Sequence, residues 1–417
     1  MSDSSSNFLL VRCQLAIAVR WAWSVVFLFF SGGCDLQHPS LPVQLQPVQE
    51  AVLDERYTVM EMSDDGHVQA LSTGIETIKG DNQKPFLTLI DASSMAPVMA
   101  PLAFDDWVTH IEFVSNEFGF LVAVSPESSS SQGVEKERQS QLLGSIHRVG
   151  LDGSRKVVSD GLPVPLTSLT VSSNHRIAAV CSRAQFGEDA QCRFINLEDG
   201  AIISVVSPPF SEHLSATFSR DSRYGVIIAS GRNRLAVGRA EPTPDQSDGQ
   251  LLLVNIADGE LVRKKVNSTF DGNSGLLKVR SSETSGEQHI SYENHNSITS
   301  IIVDSDQIQI QEILKASQLN GHAGFEVFDF DFDAVSNRIA VADRYTGSHT
   351  GSAVLFFDLQ RQKLANCGIR RKDWMYQARF SPDGRSLFAL VQVKRRDFRS
   401  VSSLQTSEHS WFGNLCL

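Results

Sequence analysis

The chain has 417 residues, of which 41% are hydrophobic and 20% charged, so it can bury a core and is not disordered as a whole. Its 37 basic and 48 acidic side chains leave a net charge of −11, which argues against a nucleic-acid partner, because a basic surface supplies most of the affinity for phosphate backbones. Length alone would allow two or three domains, but a repeat running through most of the sequence points to a single closed one.

The first stretch reads as an export signal, 1–33. Arg12 and Arg20 precede a ten-residue apolar run, Trp21 to Phe30, which is too short to span a bilayer comfortably. Ser31-Gly32-Gly33-Cys34 follows and resembles a bacterial lipoprotein box, in which the cysteine sulfur receives a diacylglyceryl group. Ser31 departs from the pattern, since such boxes usually carry Leu there. The resemblance implies lipidation at Cys34 and a lipid-anchored protein of the bacterial cell envelope, periplasmic or surface-facing. A plain cleaved signal and an uncleaved anchor helix are the alternatives. Residues 34–55, with Pro39, Pro42 and Pro47 among Gln and Ser, read as a tether.

From 56 to 417 one hairpin recurs. Its sharpest copy is Arg379-Phe380-Ser381-Pro382-Asp383-Gly384, followed by the apolar run Leu387 to Val391. Phe380 closes a strand, the Pro presets φ, the Gly tolerates positive φ, and the apolar run is the returning strand. Weaker copies start from Met62, Phe113, Val171, Phe218, Val279 and Phe332, so the steps are 51, 58, 47, 61, 53 and 48 residues. Second turns, such as Asn196 to Gly200 and Asn255 to Gly259, supply a further hairpin in each unit. Strand-rich units at this period predict an all-β fold, a seven-bladed β-propeller of four-stranded antiparallel blades (strands a to d). The polar stretch after Lys278 fits the pattern least.

The pattern resembles the bacterial propellers with a WD-like hairpin, the Tol-system periplasmic propeller among them, through Phe380-Ser381-Pro382-Asp383-Gly384 and Phe218-Ser219-Arg220-Asp221. The Gly-His and Trp-Asp pairs of eukaryotic WD propellers are absent. The resemblance implies an architecture and an envelope-binding role but no substrate, since the fold hosts scaffolds and enzymes alike.

With Cys13 lost with the signal and Cys34 lipidated, Cys181, Cys192, Cys367 and Cys416 remain. Cys181 ends strand b of the third unit and Cys192 begins strand c, so the two face each other across a hairpin, as a disulfide or as two buried thiols. Cys367 and Cys416 are left to pair by elimination. No spacing resembles a zinc site.

No catalytic motif is present, and no cofactor or metal is expected. The alternation Phe328-Asp329-Phe330-Asp331-Phe332-Asp333 places the rings on one face of a strand and the carboxylates on the other. Aligned on the hairpin, Asp331 matches Glu61, Glu112 and Arg379, while Asp329 matches His110 and Gln377. Both positions should form polar rings near the central channel. An ion pair between Arg379 and Asp331 of the neighbouring unit would set the register of closure. A channel-mouth ligand or metal site of His110, Glu112, Asp329 and Asp331 is the alternative.

Long b–c connections in the second, fourth and sixth units elaborate one face. They bring Arg232, Arg234 and Arg239 in the fourth, and Tyr345 and His349 in the sixth. The expected function is an anchored, non-enzymatic propeller that binds an envelope protein or cell-wall component through this face. A propeller hydrolase or lactonase with a channel metal is the other reading.

Overall fold

The computed structural model describes residues 43–405 except 45–48, 53–58, 73–84, 127–142, 184–189, 209–210, 232–248, 268–278, 285–286, 295–296, 305–306, 316–326, 334–336, 346–350, 362, 372–373, 385 and 393–397. Cys34, Cys416, Arg232, Arg234, Arg239 and His349 therefore lie outside the described residues.

In chain order the strands are β1 (Val43–Gln44), β2 (Gln49–Val52), β3 (Val59–Met62), β4 (Val68–Ser72), β5 (Phe86–Asp91), β6 (Leu102–Ala103), β7 (Trp107–Ser115), β8 (Gly119–Ser125), β9 (Gly144–Val149) and β10 (Arg155–Leu162). There follow β11 (Leu166–Val171), β12 (Ile177–Ser182), β13 (Cys192–Asn196), β14 (Ile202–Val206), β15 (Ser211–Phe218), β16 (Tyr224–Gly231), β17 (Gly249–Asn255), β18 (Leu261–Asn267), β19 (Val279–Thr284), β20 (Glu287–Asn294), β21 (Ser297–Asp304) and β22 (Gln307–Lys315). The last are β23 (Val327–Asp333), β24 (Arg338–Tyr345), β25 (Gly351–Asp358), β26 (Lys363–Arg371), β27 (Trp374–Phe380), β28 (Ser386–Gln392) and β29 (Phe398–Gln405).

These strands pair into seven sheets, and from β3 onward each sheet takes its strands in sequence order. The fold is an all-β propeller of four-stranded antiparallel blades. The innermost strands follow one another in space as β3, β7, β11, β15, β19, β23 and β27, and β27 returns to β3. Strand b of the second sheet is the apolar run Gly119-Phe120-Leu121-Val122-Ala123-Val124-Ser125, all buried, because it is covered on both faces by neighbouring sheets. The core accordingly lies between sheets. Met60, Leu71 and Ile90 pack on Phe388 and Leu390 across the β3–β27 junction. Ala70, Leu87 and Leu89 meet Phe120 and Val122, and Phe194 and Ala179 meet Phe218 and Ile227.

The recurrent turn has a physical basis in its serine. Ser381 Oγ donates to Asp383 at 2.6 Å and accepts the Ser386 amide at 2.8 Å. The same two bonds occur at Ser63, with Asp65 at 2.6 Å and the Val68 amide at 2.9 Å, and at Ser172 and Ser219. Three residues after each serine the backbone turns to positive φ: Gly66 at 72°, His175 at 59°, Ser222 at 57° and Gly384 at 66°. Serine and an Asx two residues on are thus the conserved chemistry of the turn within this chain, and glycine is replaceable.

Two expectations need correction. The copy read at Val279 is not a turn: Val279 opens β19, which runs on to Thr284 before β20 begins at Glu287. The polar Glu287–Asn294, with no apolar run to mark it, is a strand because it pairs with both β19 and β21. Part of the segment read as a tether also pairs with the ring. β2 lies antiparallel on β29 as the outer strand of the last sheet, and β1 lies parallel on β26, Val43 opposite Cys367, as a fifth strand of the sheet before it.

Candidate functional site

The polar positions of the inner strands are set by a bulge. In β7, β11, β23 and β27 the register shifts immediately before His110, Ser168, Asp329 and Gln377. A bulge re-aims the next side chain, and here that side chain reaches the following sheet. Ser168 Oγ accepts the Ala216 amide at 3.4 Å, Asp329 Oδ2 accepts the Ala378 amide at 3.0 Å, and Gln377 Oε1 accepts the Met60 amide. Two residues further along each strand, Thr170 Oγ1 donates to the Ala216 carbonyl at 3.0 Å and Asp331 Oδ2 accepts the Phe380 amide at 2.7 Å. The polar rings predicted near the channel are thus rows of clasps between neighbouring sheets. They satisfy inner-strand backbone groups that have no strand partner on that side.

Among the described residues Arg379 brings a cation into this arrangement, and its partner differs from the expected one. Its Nη1 lies 2.6 Å from Asp329 Oδ2 and donates to the Ala378 carbonyl at 2.7 Å, while its Nε lies 3.6 Å from Glu61 Oε2. The bulge before Asp329 accounts for the exchange: it turns Asp329 toward the guanidinium and leaves Asp331 facing the Phe380 amide. Arg379 sits on the last inner strand and bridges the first and the sixth across the closing junction.

The four residues of the alternative ligand site are not brought together. His110 and Glu112 are on β7, whereas Asp329 and Asp331 are on β23, and two inner strands or more separate these around the ring in either direction. Among the described residues no three His, Cys, Asp or Glu side chains gather as a metal site. Asp333 closes β23 against the neighbouring turn, its Oδ1 2.4 Å from where a Cβ on Gly384 would stand.

The a–b turns rim the channel mouth. Asp64 is held above its ordinary carboxylate range by desolvation, opposed by His175 from a turn two sheets away and reinforced by Glu61 and Asp65. Asp65 is lowered, chiefly by the Ser63 hydroxyl. Sequence reasoning missed this rim, because the turn residues read only as turn formers.

Cys181 and Cys192 are directly opposite across β12 and β13 and form a disulfide, closing a separation of 11 residues. Cys367 lies on β26. Tyr345 is the last residue of β24, at the start of the sixth b–c connection.

No known protein family and no curated protein matches the chain. Among solved structures it is similar to the β-propeller domain of Cps50 (Swd1) from Myceliophteria thermophila, at 11% identity and TM-score 0.57, over 85% of this chain and 99% of that one. It is also similar to Kuenenia stuttgartiensis hydrazine synthase, at 14% identity and TM-score 0.57, over 84% of this chain and 96% of that one. At these identities the likeness shows the propeller fold alone.

Proposed function

We propose that the chain is an envelope lipoprotein anchored through Cys34. Its seven sheets are the blades of one closed, non-enzymatic ring, and it binds an envelope protein or a cell-wall component through the b–c face. The carrying observation is the unequal length of the connections. On one face the chain turns from β3 to β4 between Met62 and Val68 and from β13 to β14 between Asn196 and Ile202. On the other, strand b gives way to strand c only between Ser125 and Gly144 and between Gly231 and Gly249, whereas the sixth connection, Tyr345 to Gly351, is as short as those turns. Because strands alternate direction, these longer segments share a face with the d–a crossovers. Elaborated connections on a rigid scaffold are where recognition resides, and Arg232, Arg234 and Arg239 fall in one of them, with Tyr345 and His349 in or beside the shorter sixth connection. The channel offers less, since several of its polar positions are engaged in sheet-to-sheet bonds.

The test is a pull-down from native membranes with the lipidated protein, repeated after the fourth and sixth b–c connections are shortened to Gly-containing turns. Loss of the partner with an unchanged melting temperature supports the reading; retained binding overturns the face assignment. Cys34→Ser separates the anchor from the face. It should move the protein to the soluble fraction or leave the signal uncleaved, and a processed, membrane-bound variant would defeat lipidation.

A further inference from the structure

On β9, at the end that follows the first long b–c connection, Ser145 Oγ lies 2.9 Å from Nε2 of His147. Both side chains face the preceding sheet, where the Phe104 ring meets the imidazole edge-on at 5.4 Å. His147 is 9% exposed and its Nδ1 has no hydrogen-bond partner among the described residues. A buried imidazole with one nitrogen on a half-buried serine and the other without a partner among the described residues is unusual for a structural contact, since buried polar atoms are nearly always satisfied. Exposed apolar residues lie close to the pair along the chain and across the strand. Leu143, 56% exposed, lies two residues before Ser145, and Val157, 49% exposed, is the cross-strand partner of His147.

We propose that Ser145 is a nucleophilic hydroxyl with His147 as its base, a covalent acceptor site for apolar acyl esters at the junction between the first two sheets. The imidazole stays neutral here: burial, and then the positive charge of Arg155, hold His147 below its ordinary range. The Arg155 guanidinium is kept over the Phe104 ring at 4.9 Å and donates to the Ala103 carbonyl at 2.8 Å. In the step itself, Oγ adds to the ester carbonyl carbon as its proton passes to Nε2. The bond from that carbon to the leaving alkoxide then breaks, the proton goes to the departing oxygen, and an acyl-serine remains. Among the described residues Nδ1 meets no carboxylate to orient the ring, a loss that costs about 10⁴-fold in turnover in three-membered relays. The site therefore captures an acyl group once rather than turning over, which is compatible with a non-enzymatic binding protein.

The probe is p-nitrophenyl butanoate with the full chain. The expected result is a burst of p-nitrophenolate close to one per chain, followed by a stall, with the butanoyl group mapped by mass spectrometry to Ser145. Ser145→Ala should abolish the burst and His147→Gln should slow it about 10²-fold or more, with melting temperatures showing that both fold. Should His147→Gln fail to fold, the pH profile of the native chain decides: a rate that levels off below neutral pH supports His147 as the base, and one still rising above pH 9 overturns it. No burst, acylation at another residue, or a burst unchanged in either variant also overturns the assignment.

Discussion

Nη1 of Arg379 lies 2.6 Å from Oδ2 of Asp329, and the two side chains are 4% and 0% exposed. A charge this deep is tolerated only because its partner is equally deep, and because Glu61 approaches the same guanidinium from the first sheet. Arg379→Met should therefore cost about 3–5 kcal/mol by leaving the Asp329 carboxylate uncompensated. Asp329→Asn added to it should recover at least half, since the amide still accepts from the Ala378 backbone. Chemical denaturation of the single and double variants checks this. A double variant no more stable than the single would mean that Arg379 acts by packing rather than by charge.

The Cys181–Cys192 bridge closes 11 residues of chain, for which loop-closure entropy predicts about 3 kcal/mol of stabilisation. Both cysteines are fully buried, so dithiothreitol should leave the bridge intact in the native protein and reduce it once urea opens the third sheet. The paired Cys181→Ala, Cys192→Ala variant should unfold at lower urea by that margin. Rapid reduction of the native chain would place the bridge in a segment that opens locally.

The hairpin that organises the chain was legible because its information is local. Ser381, Asp383 and Gly384 make their bonds within six residues, so a spacing read along the sequence carries the turn and hence the strand on either side. The fifth unit was not legible in the same way. Glu287–Asn294 lacks that serine turn and a continuous apolar run, and becomes a strand through its neighbours. The identity of the Arg379 partner was also hidden, because a bulge before Asp329 breaks the period of two on which an alternation argument depends. The Ser145–His147 pair carried no motif, and its spacing of two residues on a strand is too common to stand out.

Asp91 closes β5 and accepts from the hydroxyls of Ser93 and Ser94 at 2.6 and 2.8 Å and from the Ser94 amide at 2.7 Å. The Ser93 hydroxyl first, then the two Ser94 groups, pull its pKa from 3.8 down to about 2. A depressed carboxylate contributes stability that is present above the unfolded value and lost as pH falls through the folded one. The Asp91→Asn variant should thus match the native protein less well at pH 5 than at pH 2, with the difference disappearing between about pH 4 and 2. The amplitude will be small, because the exposed site is screened by solvent. Melting curves across that range test the sign: a difference that grows toward pH 2 would show that the turn bonds do not favour the ionised form.

Among the described residues the final sheet takes three strands in succession, β27, β28 and β29, and Gln49–Val52 completes it from far earlier in the chain. Without β2 the backbone groups of Phe398–Gln405 on that side would form an exposed edge, which both loses pairing and invites association with other strands. A chain starting at residue 53 should therefore melt several degrees lower than the native protein, be cleaved first within 398–405 by a broad-specificity protease, and aggregate on storage. A chain starting at residue 45 lacks only β1, which adds the pairs Val43–Cys367 and Gln44–Gly368 outside a sheet already four strands wide. It should stay near the native melting temperature. Equal stability of the two shortened chains would show that β2 does not hold the ring closed, and the burden would then fall on the junction that Arg379 spans.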